Sequence, residues 1–276
     1  YRDITAGQII LDALQRRSAR QAGQVAAPAT SHATQAGEQP TILDTVDLGQ
    51  GLDRDTYKEK LSKYQSQLNE LAWQVYSEQR AVIAVFEGWD AAGKGSAIRR
   101  VTQGIDPRLF RLLQFAAPTD EERAHHYLWR FWRQLERDGR TTLFDRSWYG
   151  RVLVERVEGF ASADEWQRAY SEINQFEKQL AGHGTIVLKF WLHISADEQL
   201  ARFKAREQEP HKKHKITEED WRNRDKWRDY ELAVDQMVAR TNTSHAPWTL
   251  VEGNNKYFAR IQILKTFCKA VEKAIG

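Results

Sequence analysis

One stretch, residues 82–96 (VIAVFEGWDAAGKGS), constrains this chain more than any other. Apolar and β-branched residues from Val82 to Phe86 stop at a glycine-rich turn, and small or helix-forming residues resume from Gly95. That order predicts a strand, a tight loop and a helix. Gly88 and Gly93 are separated by four residues and Lys94 follows, which is the spacing of a P-loop. In such a loop consecutive backbone N–H groups and a helix N-terminus converge on phosphate oxygens, and glycine permits a backbone approach that a Cβ obstructs. Gly88, Ala91, Ala92, Gly93, Gly95 and Ser96 are the expected cradle, with Lys94 laying its ammonium along the phosphate that moves. The competing reading is a structural turn, because the bare spacing arises by chance in about one chain in ten of this length. The flanking strand and helix favour phosphate. One position departs from the usual pattern: Gly95 follows the lysine, and the hydroxyl expected there arrives one place later, at Ser96.

A second stretch, residues 141–157 (TTLFDRSWYGRVLVERV), begins as a short apolar strand. Its end places Asp145 at the C-terminal edge of a sheet, the side on which open α/β sheets bind ligands. With a P-loop nearby, that carboxylate reads as the Walker B partner holding Mg²⁺, and Arg146 as a guanidinium that clamps phosphoryl oxygens. As an alternative, Asp145 caps the next helix and Arg146 lies on the surface. Asp90 puts another carboxylate inside the phosphate loop, where its charge is costly unless a metal or proton offsets it. Asp90 and Asp145 are therefore expected either to hold a metal together, Mg²⁺ with Mn²⁺ as a substitute, or to orient a phosphate nucleophile that accepts the transferred group.

Residues 202–215 (RFKAREQEPHKKHK) concentrate positive charge around Pro210. Arg202, Arg206, Lys212 and Lys215 read either as a solvated or nucleic-acid-facing surface or as a helical basic lid, about residues 202–217, that closes over phosphates. The net charge of +3 is too small to imply nucleic acid by itself, and no nucleic-acid partner is expected. Cys268 is the single cysteine, which excludes an internal disulfide framework and fits a reducing, cytoplasmic setting. No apolar run approaches membrane-spanning length and no signal peptide is visible, so no membrane partner is expected. The chain holds 10 Trp, several beside arginine (Trp129-Arg130, Trp132-Arg133, Trp221-Arg222, Trp227-Arg228), read as core-edge positions or as stacking sites.

In order, the pattern predicts a short helix at 4–17, a linker at 18–40 and a long helix at 55–79. Around the P-loop strand at 81–87 and its helix follow a strand at 112–115, a helix at 120–138, the strand at 141–144 and a helix at 163–180. The remaining elements are a strand at 185–194, a helix to 207, a helix at 217–240, a strand at 248–251 and a helix from Asn255. Five strands alternating with helices predict an α/β fold, a five-stranded parallel sheet flanked by helices on both faces. The start at Tyr1 and the linker suggest the C-terminal part of a longer protein, with 1–40 from an upstream region and 41–276 as the independent unit.

Four blocks, GWDAAGKGS (88–96), APTDEERAHHYLWRFW (117–132), FDRSWYGRVLVERVEGF (144–160) and TSHAPW (243–248), together resemble the family-2 polyphosphate kinases. The resemblance is strongest to the C-terminal catalytic half of two-domain polyphosphate:AMP phosphotransferases. It implies a P-loop kinase fold, a homo-oligomer, an upstream homologous domain, and polyphosphate with AMP and ADP as substrates. Asp90, Lys94, Asp145 and Arg146 match the family's P-loop and Walker B residues, and Arg202, Arg206, Lys212 and Lys215 match its basic lid. Gly150 stands where single-domain relatives more often carry Asn or an acid, which supports the AMP-using subgroup. The implied reaction is Mg²⁺-dependent in-line transfer of a terminal phosphoryl group to AMP; a linear polyanionic donor needs a long cationic groove, for which the lid together with Arg123, Arg130 and Arg133 are the candidates. ATP-dependent nucleoside monophosphate kinases, ADP-using polyphosphate kinases and a non-catalytic polyanion-binding module are the alternatives.

Overall fold

The computed structural model describes residues 40–209 and 216–276. The helix expected at 4–17 and nearly all of the expected linker lie outside the described residues, as do Lys212 and Lys215. Five strands, β1 (Val82–Gly88), β2 (Phe110–Gln114), β3 (Thr141–Asp145), β4 (Ile186–His193) and β5 (Trp248–Glu252), form one parallel sheet in the order β2-β3-β1-β4-β5. Its helices are α1 (Arg54–Ser77), α2 (Lys94–Thr102), α3 (Ala163–Gly182), α4 (Ala196–Gln208), α5 (Glu218–Asp225), α6 (Trp227–Thr241) and α7 (Lys256–Ile275). As expected, this is the α/β arrangement with helices on both faces: α1, α2 and α7 pack together on one, while α3 and α6 pack on the other.

β1 and β4 are buried along almost their whole length, which is why they read as largely apolar runs, interrupted in β4 by Lys189. β2, at the sheet edge, is half exposed. Parallel pairing sets β3 beside β1 with Phe86 opposite Asp145, and β4 on the other side with Gly88 opposite Leu192. The connections leave β1 toward β2 and later return toward β5, so the loop after β1 emerges where the winding reverses, the place at which such sheets bind ligands.

Two expected helices are shorter than their patterns suggest. The Thr119–Glu122 capping box forms, but only the single turns Asp120–Arg123 and Trp129–Trp132 are helical between 120 and 138. Residues 125–132 (HHYLWRFW) are apolar or aromatic almost without interruption, so they present no single helical stripe, and His, Tyr and Trp are middling helix formers. Tertiary contacts decide instead: Phe131 enters the core while Trp132 leans edge-on against Phe176. The helix expected at 217–240 divides at Lys226 (φ −97°, ψ 24°) into α5 and α6. Just after the break, Trp227 stacks flat on Trp89, with centroids 3.7 Å apart and planes within 8°.

A charged cluster lies in the core beneath the FDRSWY block. Lys189, in the middle of β4, donates to Glu177 Oε2 at 2.8 Å, to the Tyr149 hydroxyl at 2.8 Å and to the Thr241 carbonyl at 2.7 Å. Tyr149 and Trp148 donate in turn to Glu177 Oε1, and Trp248 Nε1 donates to Thr241 Oγ1. All three ammonium donors have acceptors, which is what allows a buried charge to persist. Burial pushes Glu177 up and Lys189 down, each opposed by the partner's charge. Trp148, Tyr149 and Trp248 are thus scaffold residues that tie β3, β4 and β5 together.

Candidate active site

The loop that follows β1 has the geometry its glycines anticipate. A Cβ on Gly88 (φ 150°) would come within 2.6 Å of the Leu192 carbonyl, so the end of β1 presses on β4 as only glycine allows. Gly93, in the left-handed region at φ 110°, begins α2. Ala91 also has a positive φ, 61°, which a Cβ disfavours, and so does Arg146 at 66°. Ala91 and Arg146 line the same cavity, so both strained positions border one pocket.

Lys94 folds back over this loop, donating to the Gly88 carbonyl at 2.5 Å and the Trp89 carbonyl at 3.1 Å. Asp90 Oδ2 accepts from Asn223 Nδ2 at 2.9 Å, and its carbonyl accepts from Gln199 Nε2 at 3.1 Å. Asp145 ends β3, and its Oδ2 accepts from Gln114 Nε2 at 3.3 Å. Arg146 follows, exposed, with its N–H directed to the Phe86 carbonyl at 3.4 Å. Asp145 is therefore a strand-end residue, and Ser147 caps the next turn. The Ser96 hydroxyl turns to the Gly93 carbonyl at 2.9 Å.

These side chains surround two adjoining cavities. The larger, about 940 Å³, is lined by the phosphate loop, Gln114 to Ala116, Asp145, Arg146, Arg202, Arg206, Lys256 and Arg260. The smaller, about 90 Å³, is lined by Glu87, Gly150, Leu153, Val154, Trp191, Asn223 and Tyr230 among others. Trp89, Asp90, Lys94 and Arg146 line both. Of the residues expected from sequence, the structure brings together Gly93, Gly95, Ser96, Ala91, Asp90, Lys94, Asp145, Arg146 and Arg206 around the larger cavity. Ala92 is buried behind the loop.

The arginines modify the picture. Arg202 is on α4, not on a mobile segment, and all its N–H groups are directed to protein acceptors. Nε donates to Glu198, Nη1 to the Ala91 and Ala92 carbonyls, and Nη2 to those of Gly253 and Asn254. Arg123, Arg130 and Arg133 pair locally, with Asp120, Glu122 and Glu121, and none of them lines the larger cavity. Gln114, Phe115 and Ala116 line the cavity from the end of β2, and α4 and α7 line it with Arg202, Arg206, Lys256 and Arg260 together with Glu198.

Sequence patterns miss several residues here. Glu87 is buried at the end of β1 and accepts from the N–H and hydroxyl of Ser147 at 2.8 and 2.7 Å. Burial pushes its pKa up, opposed by the Ser147 bond and the charges of Lys94 and Arg146. A carboxylate closing an apolar strand was its only local signal. Asn223, Gln199, Gln114 and Arg260 carry no local signal at all, since only the fold brings them to the loop.

Asp90 and Asp145 both line the larger cavity, and their carboxylates are of the type that holds magnesium. Each accepts a hydrogen bond from a side-chain amide, leaving further lone pairs, and Mg²⁺ is commonly held by one or two carboxylates with substrate phosphates completing its shell. Among the described residues no cluster of three or more His, Cys, Asp or Glu forms a closed metal cage.

The family model of polyphosphate kinase 2 (PPK2) matches residues 51–275. The chain belongs to the polyphosphate kinase 2 family. It is 53% identical over 274 residues to a polyphosphate:AMP phosphotransferase of Pseudomonas aeruginosa, covering 99% of this chain and 55% of that protein. It is 52% identical over 233 residues to one of Acinetobacter johnsonii, covering 84% and 48%. The crystal structure of polyphosphate kinase 2 from Arthrobacter aurescens TC1 superposes with a TM-score of 0.81 at 34% identity, over 86% of this chain and 87% of that one. The chain spans about half the length of the two phosphotransferases. No helix among the described residues is long and apolar enough to cross a membrane.

Proposed function

We propose that this segment transfers the terminal phosphoryl group of inorganic polyphosphate to AMP, giving ADP. The observation that carries the reading is the junction of the two cavities, where Asp90, Lys94 and Arg146 line both. A donor and an acceptor approaching from two sides meet there, as in-line transfer requires. Family membership and the similarity to two polyphosphate:AMP phosphotransferases support the choice of substrates.

Phosphoryl transfer asks the protein for positioning and for charge rather than for covalent chemistry. A phosphate oxygen is a stronger, charge-assisted acceptor than the carbonyls of Gly88 and Trp89, so Lys94 would leave them for the transferred group. Arg146, exposed beside it, would clamp the same group from the β3 side. Asp90 and Asp145 would hold Mg²⁺, which when bound neutralises charge on donor and acceptor oxygens. The acceptor is an ionised phosphate, so no general base is needed. In this reading the intact protein is a cytoplasmic homo-oligomer with an upstream homologous domain.

The test is a coupled assay of the segment with Mg²⁺, AMP and long-chain polyphosphate, beside a reaction with ATP as sole donor. ADP formed only with polyphosphate is the expected result. ADP formed only with ATP would replace it by a nucleoside monophosphate kinase, and no product from a folded preparation would favour a polyanion-binding module.

A further inference from the structure

Arg202 faces the phosphate pocket yet offers it nothing. Its Nε donates to Glu198 Oε1 at 2.6 Å, Nη1 to Ala91 O at 2.9 Å and Ala92 O at 2.8 Å, and Nη2 to Gly253 O at 2.7 Å and Asn254 O at 3.0 Å. A guanidinium has five N–H donors, and these bonds engage all of them. The residue is only 6% exposed. We propose that Arg202 is the positioning residue of the phosphate loop: it holds the loop's carbonyls from behind, and Arg206 and Arg260 are the cations that grip polyphosphate at this wall.

Peptide geometry supplies the first reason. The peptide after Ala92 is planar and trans, so a carbonyl turned to Arg202 sends the Gly93 N–H the opposite way. The same bonding fixes the carbonyl of Ala91, whose φ of 61° is a conformation that L-residues leave readily unless their surroundings hold it. A loop that binds phosphate through N–H groups needs its carbonyls directed elsewhere, and Arg202 is the acceptor-seeking group that does so.

The anchor at the other end of the guanidinium is rigid. Gly253 donates to the His193 carbonyl at 2.7 Å, and a Cβ there would meet that oxygen at 2.5 Å, so the loop after β5 lies directly on the end of β4. Asn254 Oδ1 accepts from the Ser195 N–H at 3.0 Å. Arg202 therefore braces the loop after β1 against the loop after β5. To bind phosphate directly it would have to abandon several of these acceptors, leaving carbonyls unpaired, which is costly where water does not replace the lost donor. Arg206, one turn further along α4, and Arg260 on α7 line the same cavity, and Arg260 Nε has no hydrogen-bond partner among the described residues. The role of these two rests on the polyphosphate reading; that of Arg202 rests only on a phosphate-binding loop.

The test compares Arg202→Lys with Arg206→Gln and Arg260→Gln. A lysine carries the charge but cannot span both loops. Arg202→Lys is expected to lower kcat about 10²-fold, as a displaced loop does, while KM for polyphosphate stays within about twofold. The slope of log(kcat/KM) against log salt stays that of the parent, because no phosphate contact is removed. Arg206→Gln and Arg260→Gln are expected to raise KM about tenfold and flatten that slope. Hydrogen exchange of the substrate-free protein supplies a second readout, with the amides of residues 92–95 exchanging about tenfold faster or more in Arg202→Lys and the sheet unchanged. Raised KM, a flatter slope and preserved kcat in Arg202→Lys would make Arg202 a phosphate ligand and overturn the proposal, as would unchanged exchange. If Arg202→Lys fails to melt cooperatively, Glu198→Gln, which loosens only the Nε bond, is read by the same criteria with smaller losses. Absence of turnover in the parent would sink the polyphosphate reading and leave the exchange result to decide the role of Arg202.

Discussion

Lys94 and Lys189 stand close to the same sheet and teach opposite lessons about charge. Lys189 is enclosed by the Glu177 carboxylate, a phenol and a carbonyl, all of them permanent partners. Lys94 rests on two carbonyls of its own loop, at the edge of a cavity of about 940 Å³. A charge with fixed, fully matched acceptors becomes part of the scaffold. A charge held by neutral acceptors beside open space can exchange them for a stronger one, and that is what a substrate phosphate provides. Arg202 shows that the distinction does not follow proximity to the site, since it lines the pocket and yet belongs with Lys189.

The largest expected effect breaks the scaffold half of this comparison. Lys189→Met strands Glu177 in the core and should cost about 3–5 kcal/mol in a urea melt, while Lys189→Met with Glu177→Leu should recover more than half of that. A single variant as stable as the parent would show that the cluster is not what joins β3, β4 and β5. Lys94→Ala tests the other half: turnover with polyphosphate and AMP should fall about 10²–10³-fold, with stability changed by less than about 0.5 kcal/mol. Loss of stability together with activity would make Lys94 a structural lysine too.

A smaller effect separates the loop's own support from both lysines. Trp89 Nε1 donates to His193 Nδ1 at 2.9 Å, which requires that nitrogen to be unprotonated. Burial lowers the His193 pKa to about 4, against 6.5 when exposed. Between those values the unfolded chain binds more protons, so this contribution to stability is complete above about pH 6.5 and is lost as pH falls toward 4. The parent's melting temperature should therefore fall more steeply between pH 7 and 4.5 than that of His193→Asn; equal slopes would remove His193 from the account. Least of all, Cys268, its thiol pushed up to about 12 by burial, should resist a thiol reagent at pH 8 until the protein unfolds. Rapid labelling of the native protein would show that the packing of α7 opens locally.

How much of this was legible beforehand follows from the range of the forces involved. The phosphate loop could be read because its requirements are local: a strand, glycines where a Cβ collides, a lysine and a helix start lie within fifteen residues or so of each other. Asp145 and Arg146 could be read because a short apolar strand ends at them. Residues 120–138 misled because an almost continuous aromatic run fits no single face, and packing against Phe176 and the core chose its shape. The basic stretch misled in a different way. Counting cations cannot distinguish Arg202, which is saturated by acceptors far away in sequence, from Arg206, one helical turn on.

By itself, then, the sequence determined the alternation of strands and helices, the place of the phosphate loop and the family, since these depend on residue spacing and on local stereochemistry. Only the tertiary structure decided which charges face the cavity and which are sealed by partners. That choice depends on acceptors such as the carbonyls of Gly253 and Asn254, which any residue type would carry and which become specific only when the fold places them.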